Sequence, residues 1–264
     1  MKIHPSSIIG PDVKLGKDVE IGPFCMVSGD VTIGDGTRLI SHVSLGDART
    51  KVTLGKNNSL YAGAAVGGPP QDLTYKDQKT ELIIGDNNII REYVTMNCGT
   101  PKGGGVTRVG SDNMIMAYVH IAHDGQLGSH IVIANSCQLA GHVTIGDHAK
   151  ISGNCLFNQF VVLGQHCYIA GDSAVNKDVP PYCIAQGKYA VVRTANEIGM
   201  ERAGYTKADV ENLRRAVRIL TKSKLVLDEA VQRIEAECDL GLDVMKDFMG
   251  FLKSPERKRG LALA

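Results

Sequence analysis

The segment His120-Ile121-Ala122-His123-Asp124 puts two imidazoles three residues apart and a carboxylate beside the second. Eighteen residues on stand Gly141 and His142, and eighteen beyond them Gln159 and Phe160. A carboxylate next to an imidazole can orient the ring and stabilise its charged form. A glycine offers bare backbone that a substrate can approach closely. Three histidines, His120, His123 and His142, are also the donor type of a zinc site. Their spacing fits such a site poorly, and Asp124 beside His123 fits a base better. Whether these residues meet depends on the elements that carry them.

Those elements follow from a period of six. From Ile9 the steps fall on Leu15, Ile21, Val27, Ile33, Leu39 and Leu45; they resume at Leu54, Leu60 and Val66, and again at Ile84, Ile90 and Met96. From Val109 to Val175 they run unbroken, and the next residue is often glycine. Six is too short for a helical repeat. It suits a flat strand and a turn with one aliphatic pointing inward, so three hexads make one triangular coil of eighteen residues. Stacked at the strand spacing, about eight coils form a prism roughly 40 Å long. The expected fold is therefore mainly β: a parallel β-helix over 1–188 with two inserted loops, 67–79 and 99–107, then an α-helical domain over 189–264. The left hand of the β-helix comes from the known hexapeptide-repeat architecture, not from the period.

A step of eighteen is one coil, so His123, Gly141 and Gln159 form an outer column with Asp124 and His142 on its flank. Five of the eight histidines (His42, His130, His142, His148 and His166) lie three residues after a ladder aliphatic, a turn position. His120 and His123 break that habit. Cys25, Cys137, Cys155 and Cys167 share a site usually taken by small residues and read as packing residues. The outer face of a prism is convex and makes a poor pocket alone. Three prisms packed about a three-fold axis would supply a second wall, placing sites between subunits.

Composition removes other classes. The 264 residues carry 29 Lys and Arg against 28 Asp and Glu, so no global field draws nucleic acid or an anionic membrane. No apolar run reaches a membrane span, and Met1-Lys2-Ile3-His4-Pro5 lacks a signal-peptide core. Seven cysteines without a CxxC pair suit reduced thiols in a cytoplasmic protein. Thirty glycines, no tryptophan and 5% aromatics fit an interior of Ile, Val, Leu and small residues. After Pro180-Pro181 the period stops, and from about Tyr189 the pattern reads as helical. Thr206 and Asp209 resemble a capping box, and amphipathic segments follow around Leu225–Glu237 and Leu242–Leu252. The basic end, 254–264, reads as a frayed tail.

The repeat resembles the hexapeptide acyltransferase superfamily. His120-Ile121-Ala122-His123-Asp124, Leu139-Ala140-Gly141-His142-Val143, Gln159-Phe160 and Asp178-Val179-Pro180-Pro181-Tyr182 with Ile184-Ala185-Gln186-Gly187 narrow it. Together they resemble the UDP-N-acetylglucosamine O-acyltransferase family, across essentially the whole chain. The resemblance implies transfer of a 3-hydroxyacyl chain from acyl carrier protein to the glucosamine 3-position of UDP-N-acetylglucosamine. This opens lipid A biosynthesis in the cytoplasm of a Gram-negative-type bacterium. It implies a homotrimer, no cofactor and no metal. His123 would be the general base, Asp124 its orienting partner, and the Gly141 N–H the oxyanion donor. His120, His142, Asn158, Gln159, Gln71 and Asp72 would hold substrate, Asn196 and Arg202 the nucleotide. Gly171 falls at the acyl-length ruler, where glycine leaves the groove open for a longer chain. Arg214, Arg215, Arg218 and Lys222 on one helix would dock the acidic carrier protein.

The sequence departs from the family pattern in three places. Asn158 stands where histidine is usual, Thr74 where lysine is common, and Asn196 to Gly204 lacks a carboxylate and has one arginine lost or shifted. These bear on sugar and nucleotide recognition, and leave a 3-amino UDP-sugar acceptor, with an amide product, as the alternative. A trimeric zinc enzyme of the γ-carbonic-anhydrase type is a second. A later N-acyltransferase of the same architecture carries a large N-terminal uridine-binding domain, whereas here hexads begin at Ile9.

Overall fold

A computed structural model describes residues 2–255 and 257–263. The hexads form three sheets of parallel strands, most only two residues long; with one antiparallel strand added at the end of the first, the sheets hold eleven, nine and eight strands. Each coil pairs with the next at the eighteen-residue register: Ile121 opposes Leu139, and Leu139 opposes Phe157. The chain is a left-handed β-helix followed by helices. The ladder aliphatics are buried from Ile21 to Val175. Each contributes about 1.5–3 kcal/mol over an exposed side chain. Phe157 takes a ladder position too, so the interior admits one ring.

The corners explain the turn residues. The third residue after a ladder aliphatic holds a positive φ in coil after coil, including His42, Tyr118, His130, His148 and Asn154. Left-handed backbone costs an L-residue, least for Asn and Asp, and β-branched residues tolerate it worst. Asp124, His142 and Phe160 hold this corner in three successive coils at φ 61, 63 and 65°. Their side chains therefore stack in one outward column.

Insertions leave the prism between coils without breaking its register. Leu60 pairs with Ile90, thirty residues on, and Ile90 with Ile115, twenty-five on. The excess forms the two loops. Buried polar residues line one inner corner. The Asn88 N–H donates to Asn58 Oδ1 at 2.9 Å, and the Asn113 N–H to Asn88 Oδ1 at 3.0 Å. These rungs satisfy backbone groups that an aliphatic would leave unpaired.

The top of the prism departs from expectation in two ways. The chain does not become helical at Tyr189. Cys183–Gly187 and Ala190–Ala195 pair antiparallel and extend one sheet. The β-rich Ala190-Val191-Val192 run finds an open sheet edge there, and pairing covers it. Four helices follow: α1 (Glu197–Arg202), α2 (Lys207–Lys222), α3 (Leu227–Glu237) and α4 (Asp243–Lys253). Thr206 and Asp209 form the expected capping box on α2. Secondly, the end of the chain is not frayed. The Asp178 N–H donates to Gly260 O, the Ala262 N–H to Asp178 O and the Val192 N–H to Ala262 O. Leu261 and Ala262 are buried, because the apolar residues beyond the basic cluster find that edge. Six cysteines are buried and free, consistent with packing. Among the described residues, no helix is long and apolar enough to cross a membrane.

Asn88→Ala removes the acceptor of the Asn113 N–H and the donor to Gly110 O. It should cost about 2–4 kcal/mol in denaturant unfolding, because buried groups lose their partners.

Candidate functional site

The corner column brings His123, Asp124, Gly141 and His142 together. His123 and Asp124 are only 5% and 3% exposed. His123 Nδ1 lies 2.7 Å from Asp124 Oδ2, which fixes the ring and leaves Nε2 as its free nitrogen. One coil on, directly against the ring, is Gly141: a Cβ there would stand 2.5 Å from His123 Cε1 and 2.8 Å from Nε2. Glycine is thus required at this position by a close approach. Among the described residues, the Gly141 N–H has no acceptor. His142 meets the His123 ring edge-on at 5.2 Å, and its Nε2 is 3.6 Å from Asp124 Oδ2, too long for a hydrogen bond.

The second inserted loop closes over the carboxylate. The Thr100 N–H donates to Asp124 Oδ1 at 2.8 Å and the Thr100 hydroxyl to Oδ2 at 2.7 Å. The Asp124 N–H donates to Thr107 Oγ1. Gly103 packs so tightly on the carboxylate that a Cβ there would collide with it. Burial by itself pushes the Asp124 carboxyl up. The His123 ring, the two Thr100 donors and nearby His142 outweigh it and hold the group below its ordinary value, ionised. Burial holds His142 below its ordinary value; Asp124 opposes this, while His123 and Lys258 reinforce it. His120 is lowered by burial and then by His123.

Of the other expected site residues, His120 sits one strand away, with Nδ1 2.7 Å from the Thr95 hydroxyl. The zinc set His120, His123 and His142 is not assembled. His123, Asp124 and His142 are the group whose ligand-type atoms lie within 4.8 Å of one another. Asn158 and Gln159 are exposed above the column. On the first loop, Gln71 is exposed and Leu73 is 99% exposed. Asp72 accepts from the Thr74 hydroxyl and N–H and pairs with Lys102 at 3.3 Å; these contacts hold its carboxyl at about 2. Gly171 has ordinary φ, and a Cβ there would make only loose contacts, the nearest at 3.6 Å. The fold does not demand glycine there.

Two further groups lie elsewhere on the chain. Asn196 and Arg202 line a cavity of about 220 Å³ with His130, His148, Lys150 and His166. Asn196 also caps α1, accepting from the Gly199 N–H and donating to His166 O. The three histidines stack at 4.7 and 4.5 Å. Arg214, Arg218 and Lys222 line a cavity of about 290 Å³ with Arg193. Arg215 is not with them: its guanidinium donates to Glu237 O at the end of α3. Four-residue spacing puts the three on one face of α2 and turns their neighbour away. Sequence reasoning missed Thr100, Thr107 and Lys102, because the hexad period says nothing about which residue of an insertion folds back.

Comparison with known proteins places the chain in a family. A model described as UDP N-acetylglucosamine O-acyltransferase, domain 2, matches residues 178–262, and one described as bacterial transferase hexapeptide (six repeats) matches 12–47. The acyl-[acyl-carrier-protein]–UDP-N-acetylglucosamine O-acyltransferase of Myxococcus xanthus is 44% identical over 260 residues, 98% of each chain. The chain belongs to the UDP-N-acetylglucosamine O-acyltransferase family. A second family member, from Halorhodospira halophila, is 40% identical over 250 residues, 94% of this chain and 96% of its own. The solved Francisella novicida UDP-N-acetylglucosamine acyltransferase superposes with a TM-score of 0.93 at 37% identity, covering 99% of this chain and 94% of that one.

Gly141→Ala drives a methyl into the His123 ring and should turn it off Asp124. Turnover should fall about 100-fold, the scale of a misplaced reacting group, while the unfolding midpoint moves little.

Proposed function

We infer that this chain transfers an acyl group from acyl carrier protein to UDP-N-acetylglucosamine, the opening step of lipid A biosynthesis. The observation that carries the reading is the buried His123–Asp124 pair against bare Gly141 in a chain of this family. A sugar hydroxyl is a weak nucleophile at neutral pH and needs a base. His123 Nε2 takes the proton of the glucosamine 3-hydroxyl as its oxygen attacks the thioester carbonyl. Asp124, held ionised by the His123 ring and Thr100, stabilises the imidazolium. The Gly141 N–H donates to the oxyanion. Collapse breaks the C–S bond, and the imidazolium returns its proton to the departing thiolate.

His120, His142 and Gln159 position sugar and acyl oxygens, with Asn158 at their edge. Gln71 and Asp72 reach in from the first loop, where Lys102 brings an ammonium to Asp72. Asn196 keeps one amide hydrogen and one lone pair free of its cap for the uracil ring, and Arg202 faces the phosphates. Gly171 leaves the acyl groove open, since packing gives no other reason for glycine there. Arg214, Arg218 and Lys222 receive the acidic carrier protein, with Arg193 in place of Arg215. A cytoplasmic homotrimer supplies the missing wall. Ile8, Met26 and Leu156 are exposed on one sheet face, and a second copy would cover them.

His123→Ala should lose nearly all turnover while light scattering still reports a trimer. A near-wild-type rate would overturn the base assignment. Turnover of UDP-N-acetylglucosamine against its 3-amino analogue decides between ester and amide products, and stoichiometric zinc in the purified protein would favour the zinc reading. Gly171→Met should shift the preferred 3-hydroxyacyl carrier substrate to shorter chains, read by product mass.

A further inference from the structure

The end of the chain is a strap over the catalytic corner, and it carries charge there. Its backbone is fixed by Asp178 and Val192. From that position Lys258 places Nζ 4.5 Å from the centre of the Phe160 ring. Phe160 stacks on His142 at 4.3 Å and 10°, and His142 meets the His123 ring. The ammonium therefore caps the column whose base is the His123–Asp124 pair. Arg259 donates through Nε to Gln159 O at 2.6 Å and pins the strap to the same corner.

Between strap and corner is a cavity of about 410 Å³, with Gly103, Asp124, Gln126, His142, Arg257 and Lys258 in its wall. The acid in this wall, Asp124, already accepts from His123 and twice from Thr100, while the buried Asp178 carboxylate lies within electrostatic reach of Arg257. Arg257 donates through Nη2 to Leu252 O; among the described residues its Nε is buried without a hydrogen-bond partner. Guanidinium and ammonium groups together favour an anion with several oxygens.

We propose that Arg257 and Lys258 form a phosphate-binding wall of the catalytic cavity, engaged by a phosphate group of a substrate. Two sources share that chemistry: the diphosphate of the nucleotide sugar and the phosphodiester of the carrier protein's prosthetic arm. The proposal rests on the reading of the His123 corner as the active site.

Steady-state kinetics on the full-length trimer tests it, varying each substrate with the other saturating. Lys258→Met should raise the KM of one substrate about tenfold, the scale of a lost charge-assisted contact, and leave kcat within about twofold. Lys258→Arg should restore it, and Arg257→Gln should raise the same KM. A rise for the nucleotide sugar identifies its diphosphate; a rise for the acyl carrier protein identifies the prosthetic arm. Unchanged KM values in both Lys258→Met and Arg257→Gln overturn the proposal. So does a fall in kcat alone that Lys258→Arg does not repair, since that is what a structural anchor would give. Should Lys258→Met fail to fold, Lys258→Arg and Arg257→Gln still decide. His123→Ala, measured alongside, separates failure of this wall from failure of the active-site reading.

Discussion

Hydrogen bonding between coils at an eighteen-residue register is the constraint on which everything else depends. Each coil copies the corner of the one before it, so a residue type placed at a corner is held in a column about one strand spacing from its neighbours. Asp124, His142 and Phe160 stand in line because each occupies the same left-handed turn. The same constraint dictates where extra chain can go. A strand cannot lengthen without losing its partner, so insertions must leave at corners and return in phase, as between Leu60 and Ile90 and between Ile90 and Ile115. The second insertion re-enters one step below the His120–Asp124 segment, which is why its threonines reach the carboxylate.

A carboxylate as buried as Asp124 would ordinarily take up a proton. Burial is the largest influence on it, yet the group stays below its usual range because donors from two separate elements converge on it. One comes from its own corner, the His123 ring, and two from Thr100 on the returning loop. The prism supplies position and the first donor, and the loop both buries the carboxylate and supplies two more. The loop therefore belongs to the chemistry as much as the column does.

The sequence made the prism legible because its period is short and its phase is enforced by burial. Ladder residues, corner histidines and the column His123, Gly141 and Gln159 all follow from counting. The capping box at Thr206 was equally readable, since it is a local signal. What stayed hidden was non-local. Thr100 and Thr107 look like any polar loop residues until the chain returns. The hairpin of Cys183–Gly187 and Ala190–Ala195 was masked because its aliphatics no longer step by six. Arg259 and Leu261 read as a basic tail, because nothing in their own stretch reveals an uncovered sheet edge at Asp178. Arg215 was grouped with its neighbours by adjacency, when the helical turn points it at Glu237.

The net charge of +1 conceals a strongly sorted surface. Acids and bases pair along the lower coils, as in Lys2 with Glu20 and Lys51 with Glu81. Near the top of the prism cations outnumber acids: Arg193, Arg214, Arg218 and Lys222 line one cavity, where Arg214 reaches Glu197 at 3.9 Å, and Lys150 and Arg202 line another. At ordinary ionic strength fields are screened beyond about 8–10 Å, so the total charge is nearly irrelevant to a ligand at such a wall. A nucleotide diphosphate and an acidic carrier protein would each meet positive potential only at close range, and in different places. That separation would allow one modestly charged chain to receive two anionic substrates without drawing anions over its whole surface.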